Sequence, residues 1–213
     1  MSTLTKVALG LMGQLRPKPA TGDAAHAIAL PAPETSGGMP LMEALAKRQS
    51  RREFARTPLP LPLLSNLLWA AYGRNRPEGR TAPSALDVQE IDLYVALPSG
   101  AYYYDAATHR LNLVADADLR RITGYQDFVD DAPLDLVFVA DHARMGLVPV
   151  EQRESFASVA AGAICQNIYL FAAANNLATV IRAWIDREAL ARALGTSHDQ
   201  QVLLSQTVGY PKQ

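Results

Sequence analysis

Ile91-Asp92-Leu93-Tyr94-Val95-Ala96-Leu97 is the stretch at which the hydrophobic period of the chain changes. Upstream of it the spacing is helical: Leu64, Leu67, Leu68 and Ala71 share one side of a helix that stops at Gly73. From Ile91 onward, Ile91, Leu93, Val95 and Leu97 alternate with Asp92, Tyr94 and Ala96, which predicts a strand closed by Pro98-Ser99-Gly100. Tyr102-Tyr103-Tyr104 and Leu111-Asn112-Leu113-Val114 then make a hairpin pair. Leu134 to Ala140 is apolar almost without interruption, the mark of a central strand covered on both faces. Glu151 to Asn175 has the length and alanine content of a long helix. Apolar residues surround its carboxyl half, so it is expected to be buried all round, as in the core of a dimer. A short amphipathic helix, Arg187 to Leu194, stops at Gly195, and Val202 to Val208 is the last strand. Helices enclosing a mainly antiparallel sheet give an α+β architecture.

Toward the amino terminus the pattern weakens. Pro17 to Gly38 is rich in Pro, Ala, Gly, Ser and Thr with no sustained period, so residues 1–38 are expected to form an extended arm and residues 39–213 the folded body. The body opens on Pro40 and a short helix carrying Leu41, Met42 and Leu45, which ends in Lys47-Arg48.

Composition narrows the function classes. With 20 basic and 21 acidic residues the net charge is -1, which lacks the positive footprint of a nucleic-acid or anionic-membrane binder. Cys165 is the only cysteine and lies in an apolar helical pattern, so it reads as a buried small hydrophobe, and the cytoplasm as the expected compartment. His26, His109, His142 and His198 are scattered without ligand spacing, so no metal is expected. The apolar region Phe156 to Ile181 is broken by Cys165-Gln166-Asn167 and Asn175-Asn176, amides that would be costly in lipid, and is read as a buried helix. Lys6 with Val7 to Met12 imitates an export signal only faintly, and a longer leader ahead of it stays open.

The chemistry concentrates in Arg48-Gln49-Ser50-Arg51-Arg52-Glu53-Phe54. Three guanidinium groups and a hydroxyl at a helix exit suit a phosphate, since charge-assisted bonds contribute about 1.5 to 3 kcal/mol each. Taken alone, such a cluster is more often a solvated helix end that complements the helix dipole.

Arg-x-Ser-x-Arg before a phenylalanine, at the start of the body, resembles the phosphate-binding segment of flavin mononucleotide (FMN) in nitroreductases. Leu67-Leu68-Trp69-Ala70-Ala71-Tyr72-Gly73, followed by Arg80-Thr81-Ala82-Pro83-Ser84-Ala85 and Gln89, is similar to nitroreductase relatives that include the SagB-type dehydrogenases. Gly124-x-Gln126-x-Phe128, Ala132-Pro133, Gln166-Asn167-Ile168-Tyr169-Leu170 and Val208-Gly209-Tyr210-Pro211 continue the resemblance in order, from Met39 to Pro211.

The resemblance implies a homodimer with FMN at its interface. It implies Arg48, Ser50 and Arg52 on the phosphate and Gln49 at the ribityl chain or ring edge. The Pro83-Ser84-Ala85 loop would reach the flavin of the other subunit, Gln126 would face the pyrimidine edge, and the backbone at Ala183 and Trp184 would meet the reactive ring nitrogen. Gln126 also reads as an ordinary loop amide. The flavin carries the hydride chemistry, so no acid-base residue is required.

Three departures from the family pattern bear on function. Asp87 stands where relatives usually carry Asn, and beside the ring its charge would lower the reduction potential. Trp184 stands where a small residue is common, and is either a roof over the flavin or a core aromatic turned away. The basic tail beyond the last strand is short, leaving Lys212 or Arg182 to assist at the phosphate. The expected activity is hydride transfer from NAD(P)H through FMN to an electron-poor small aromatic acceptor such as a nitroaromatic or quinone. Oxidation of peptide azolines and a dimeric protein that only binds a flavin or another planar ligand remain as alternatives.

Overall fold

The computed structural model describes residues 1–22 and 24–212. Among these the helices are α1 (Thr3–Leu11), α2 (Leu41–Lys47), α3 (Leu61–Tyr72), α4 (Val150–Ala174) and α5 (Arg187–Leu194). The strands are β1 (Lys18–Pro19), β2 (Ala27–Ala29), β3 (Arg74–Arg76), β4 (Gly79–Arg80), β5 (Ile91–Leu97) and β6 (Gly100–Asp105). They continue as β7 (Arg110–Ala115), β8 (Ala117–Asp118), β9 (Leu134–Asp141), β10 (Ala178–Arg182) and β11 (Gln200–Gly209).

Seven strands form the main sheet in the order β10-β11-β9-β5-β6-β7-β2, and every pairing in it is antiparallel. The alternation in β5 sorts its side chains between two cores. Ile91, Leu93 and Val95 join Leu134, Leu136 and Phe138 against α3 and α4. Tyr94 and Ala96 join Val137, Val139 and the α5 residues Leu190 and Leu194 on the other face. Both faces are covered, so even Asp92 is buried, held by Arg144 at 2.8 Å and Gln200 at 3.1 Å. This double cover explains why β9 is apolar at nearly every position.

One expectation needs correction. Thr3–Leu11 is helical where an extended arm was expected. Its first turn is capped by Ser2, whose hydroxyl accepts from the Thr5 N–H, a signal present in the sequence. The rest of the segment does run along the body, adding β2 as an edge strand on β7 and pairing β1 with β8.

For α4, whose burial was expected on all sides as in a dimer core, one chain alone covers only part of the surface. Ala157, Ala160, Ala161, Ile164, Cys165 and Ile168 face the core, but Phe156, Val159, Gly162 and Gln166 stay exposed because α2, α3 and the sheet cover one side only. Its length and mean hydropathy of 1.5 would let it cross a membrane, yet 44% of that apolar stretch is packed inside the protein, as in a core helix. Burial pushes the Cys165 thiol well above its usual range, consistent with an inert hydrophobic role.

Candidate active site

The Arg48 to Phe54 segment leaves α2 and is stitched to two strands. Arg51 N–H donates to the Thr179 carbonyl at 3.0 Å, and Ala55 N–H donates to the Tyr210 carbonyl at 2.9 Å. Phe54 pairs with Pro211 across a β-bridge and sinks into a small core with Ala132, Ala178 and Val180. Gly209 permits this close approach: a Cβ there would lie 2.5 Å from Pro133 Cδ. The glycine in Val208-Gly209-Tyr210-Pro211 thus has a steric cause.

This stitching brings the chain's last cation to the segment. Lys212 N–H donates to the Glu53 carbonyl at 3.2 Å, and Arg52, Phe54, Phe128 and Lys212 line one open cleft of about 640 Å³. That size falls within the range of small-ligand pockets, roughly 300 to 1,000 Å³. Arg48, Gln49 and Arg51 line a neighbouring cleft with Tyr169 and Leu177, so the segment divides its cations between two sides.

Tyr169, to which the sequence reading gave no role of its own, organises the middle. Its hydroxyl accepts from the Ile181 N–H at 3.1 Å and lies 2.8 Å from Ser50 Oγ. When Tyr169 donates to Ser50, the serine proton is left for an anion. The Arg48 guanidinium sits over the Tyr169 ring, 5.3 Å from its centroid, a cation–π contact that restrains the side chain. Arg48, Arg51, Arg52 and Lys212 form no ion pair among the described residues, whereas Lys47 and Arg56 are matched to Glu43 and Asp131. Unpaired cations beside a free hydroxyl are the donor set that a phosphomonoester requires.

Arg182 is not part of that set. It is buried under the β10 end, 2.5 Å from Asp135 Oδ1, and it donates to the Thr123 carbonyl at 2.7 Å and to Thr207 Oγ1 at 2.7 Å. The expectation that Arg182 could assist at a phosphate is therefore overturned: it is committed to a buried carboxylate. Burial raises the Asp135 pKa, and Arg182 and Thr207 act against that rise.

Tyr125, the neighbour of Gln126, is held against Trp184, two residues beyond Arg182. Tyr125 N–H meets the Trp184 carbonyl at 3.4 Å, and the two rings pack with centroids 5.5 Å apart. Gln126 Oε1 is buried without a donor, an orphan acceptor that a ligand N–H would satisfy. Trp184 is 53% exposed, which rules out a core aromatic, and Ala183 beside it is exposed too. Trp184→Gly is accordingly expected to lose far less stability than the roughly 3 to 5 kcal/mol of a core tryptophan. Thermal melts of the variant check this, and a core-sized loss would contradict the placement.

The Pro83-Ser84-Ala85 loop shares no hydrogen bond or cleft with Arg48 to Arg52 in one chain. Ser84 Oγ donates to the buried Glu90 at 2.5 Å and accepts from Gln89 N–H, so its hydroxyl is fully used. Beyond it Leu86, Asp87 and Gln89 all adopt positive φ, near 54°, 53° and 50°. Non-glycine residues held there store about 1 to 3 kcal/mol each, a strain typical of functional loops. Leu86 and Asp87 project into solvent.

The fold and these motifs define a known class. Residues 45–210 match the model of the nitroreductase family, and the chain belongs to that family. A Methanocaldococcus jannaschii protein assigned to the nitroreductases is 31% identical over 160 residues, covering 70% of this chain and 81% of the relative. A crystal structure from Ralstonia eutropha JMP134, also assigned to the nitroreductases, is 50% identical with a TM-score of 0.89, covering 93% of this chain and 96% of that one. The fold is also that of a chain of the Escherichia coli microcin synthetase complex, at 16% identity and a TM-score of 0.68, covering 99% of this chain and 93% of that one. The protein is thus an α+β nitroreductase-family oxidoreductase, of the flavin-dependent kind that the family supports.

Proposed function

We propose that the protein is an FMN-dependent oxidoreductase, working as a homodimer, that takes hydride from NAD(P)H and delivers it to an electron-poor aromatic of the nitroaromatic or quinone kind. The observation that carries this reading is that Arg48, Ser50, Arg52 and Lys212, free of ion pairs among the described residues, lie on or against one segment that the last strand pins in place, with Arg48 and Arg52 opening into two clefts on its two sides. Bound FMN would supply the hydride chemistry itself.

What the chain contributes is position and charge. Arg48 and Arg52 would neutralise the phosphate, with Ser50 donating once Tyr169 has satisfied its oxygen. Gln126 Oε1 would accept from a ring N–H at the pyrimidine edge, and the exposed Ala183-Trp184 backbone would meet the reactive nitrogen. Of the two, the backbone N–H would oppose the cost of the negative charge that reduction brings, and the Gln126 oxygen would serve to orient the ring. Asp87 acts in the opposite sense, because a carboxylate near an electron-rich ring disfavours its reduction.

The homodimer follows from what one chain leaves uncovered. The exposed stripe Phe156, Val159, Gly162 and Gln166 on α4 is apolar except at its last position, and the Pro83 to Asp87 loop reaches no cation cluster of its own chain. A second copy laid on α4 answers both facts, bringing that loop to the other subunit's flavin. An interface of roughly 2,000 to 5,000 Å² or more is expected, the scale of permanent dimers. Light scattering at micromolar concentration should give the dimer mass, and a monomer mass would contradict the arrangement.

A further inference from the structure

The family match begins at residue 45, yet α1, well before it, touches the candidate site at two points. Lys6 is 0% exposed, and its ammonium donates to the Gln126 carbonyl at 2.9 Å while lying 3.1 Å from Asp130 Oδ1. Four residues on, along the same helix face, Gly10 abuts the Tyr125 ring. A Cβ at Gly10 would lie 2.7 Å from the Tyr125 hydroxyl oxygen, so any larger residue must push that ring aside. Tyr125 is the residue whose ring packs on Trp184. The cap of the same helix, Ser2, lines the cleft that holds Arg52 and Lys212.

Stability alone does not call for this arrangement. A buried ammonium is costly to desolvate, and an apolar side chain of similar volume generally serves the fold as well. Burial lowers the Lys6 pKa, and Asp130 opposes that fall. What the lysine provides that a methionine cannot is a directional bond to the backbone of Gln126. Glycine, likewise, is a poor helix former, but it is the one residue that leaves the Tyr125 ring where it stands.

We propose that α1 is a positioning element for the acceptor side of the site: Lys6 fixes the backbone of Gln126, Gly10 sets the Tyr125 ring, and together they fix the Tyr125–Trp184 wall. The role rests on reading Gln126 and Trp184 as walls of a flavin site, and it makes the acceptor preference depend on residues outside the family's common domain.

Two substitutions test it while acting oppositely on the helix. Lys6→Met removes the bond to Gln126, and Asp130 keeps Lys18 at 3.7 Å and Arg121 at 3.6 Å as counter-ions, so the variant is expected to fold. Gly10→Ala favours the helix but displaces Tyr125. Both are made in a Trp69→Phe background, which leaves Trp184 as the only tryptophan. Acrylamide quenching of Trp184 is measured without added flavin. The FMN-loaded proteins are then compared for kcat and KM with nitrobenzene and with the bulkier 2-nitrofluorene.

The expected result is altered quenching in both variants, with a several-fold change in the KM ratio of the two acceptors and FMN affinity unchanged. Parental quenching and a parental KM ratio in both variants would overturn the proposal. If the parent takes up no FMN, the flavin reading fails, and the quenching measurement still decides whether α1 positions the aromatic pair. Should Lys6→Met not fold, the Gly10→Ala result decides alone.

Discussion

Arg182→Ala is expected to destabilise the protein by about 3 to 5 kcal/mol, the usual cost of stranding one member of a buried ion pair. Asp135 is completely buried, and among the described residues Arg182 is its only cationic hydrogen-bond donor; Thr207 supplies a hydroxyl besides. The same guanidinium holds the Thr123 carbonyl and covers the Phe128 ring at 5.7 Å, so its loss also loosens the turn ahead of Gln126. For a domain of this size the melting temperature should fall by roughly 6 to 20 °C. Riboflavin and FMN should lose affinity alike, because Arg182 is turned away from the phosphate cluster. A loss below about 1 kcal/mol would show that the pair is not the strut described above.

Arg52→Ala is expected to act on the ligand and barely on the fold. Arg52 is exposed and forms no ion pair among the described residues, so its removal strands no partner. If it grips the phosphate, FMN affinity should fall about tenfold to a hundredfold, the equivalent of one charge-assisted bond, while riboflavin affinity stays near the parent's. Isothermal titration with both flavins checks this. Equal weakening of the two would move Arg52 off the phosphate.

The elements of the body were legible because their periods are unambiguous. β5, β9, α3, α4 and α5 fall where alternation, apolar runs and glycine stops put them. Periodicity could not say how much of α4 its own chain covers. A helix apolar on every side looks the same in sequence whether neighbouring helices or a second copy encloses it. α1 was missed because its short apolar run reads as a faint export signal ahead of a Pro- and Ala-rich arm, although Ser2 was available as a cap.

The site was legible mainly as motif. Arg48, Ser50 and Arg52 share one segment, with Tyr169 of α4 packed against Arg48 and Ser50, but the part Tyr169 plays depends on contacts between elements that no spacing reveals. Arg182 shows the opposite failure. Its position at the end of β10 suggested an available cation, and only the tertiary partner Asp135, 47 residues away, explains why it is not. Trp184 was undecided between roof and core, and its exposure settles that choice in favour of an open face.

The central claim, a flavin held by Arg48, Ser50 and Arg52 and reduced by a nicotinamide, is most directly tested by one anaerobic titration. The purified protein is incubated with FMN, freed of excess by gel filtration, and titrated with NADH and, separately, NADPH while the visible spectrum is followed. The account predicts a retained visible flavin band that at least one nicotinamide bleaches and that returns when a nitroaromatic is added. A protein that leaves the column colourless, or whose bound flavin neither nicotinamide bleaches, would contradict it.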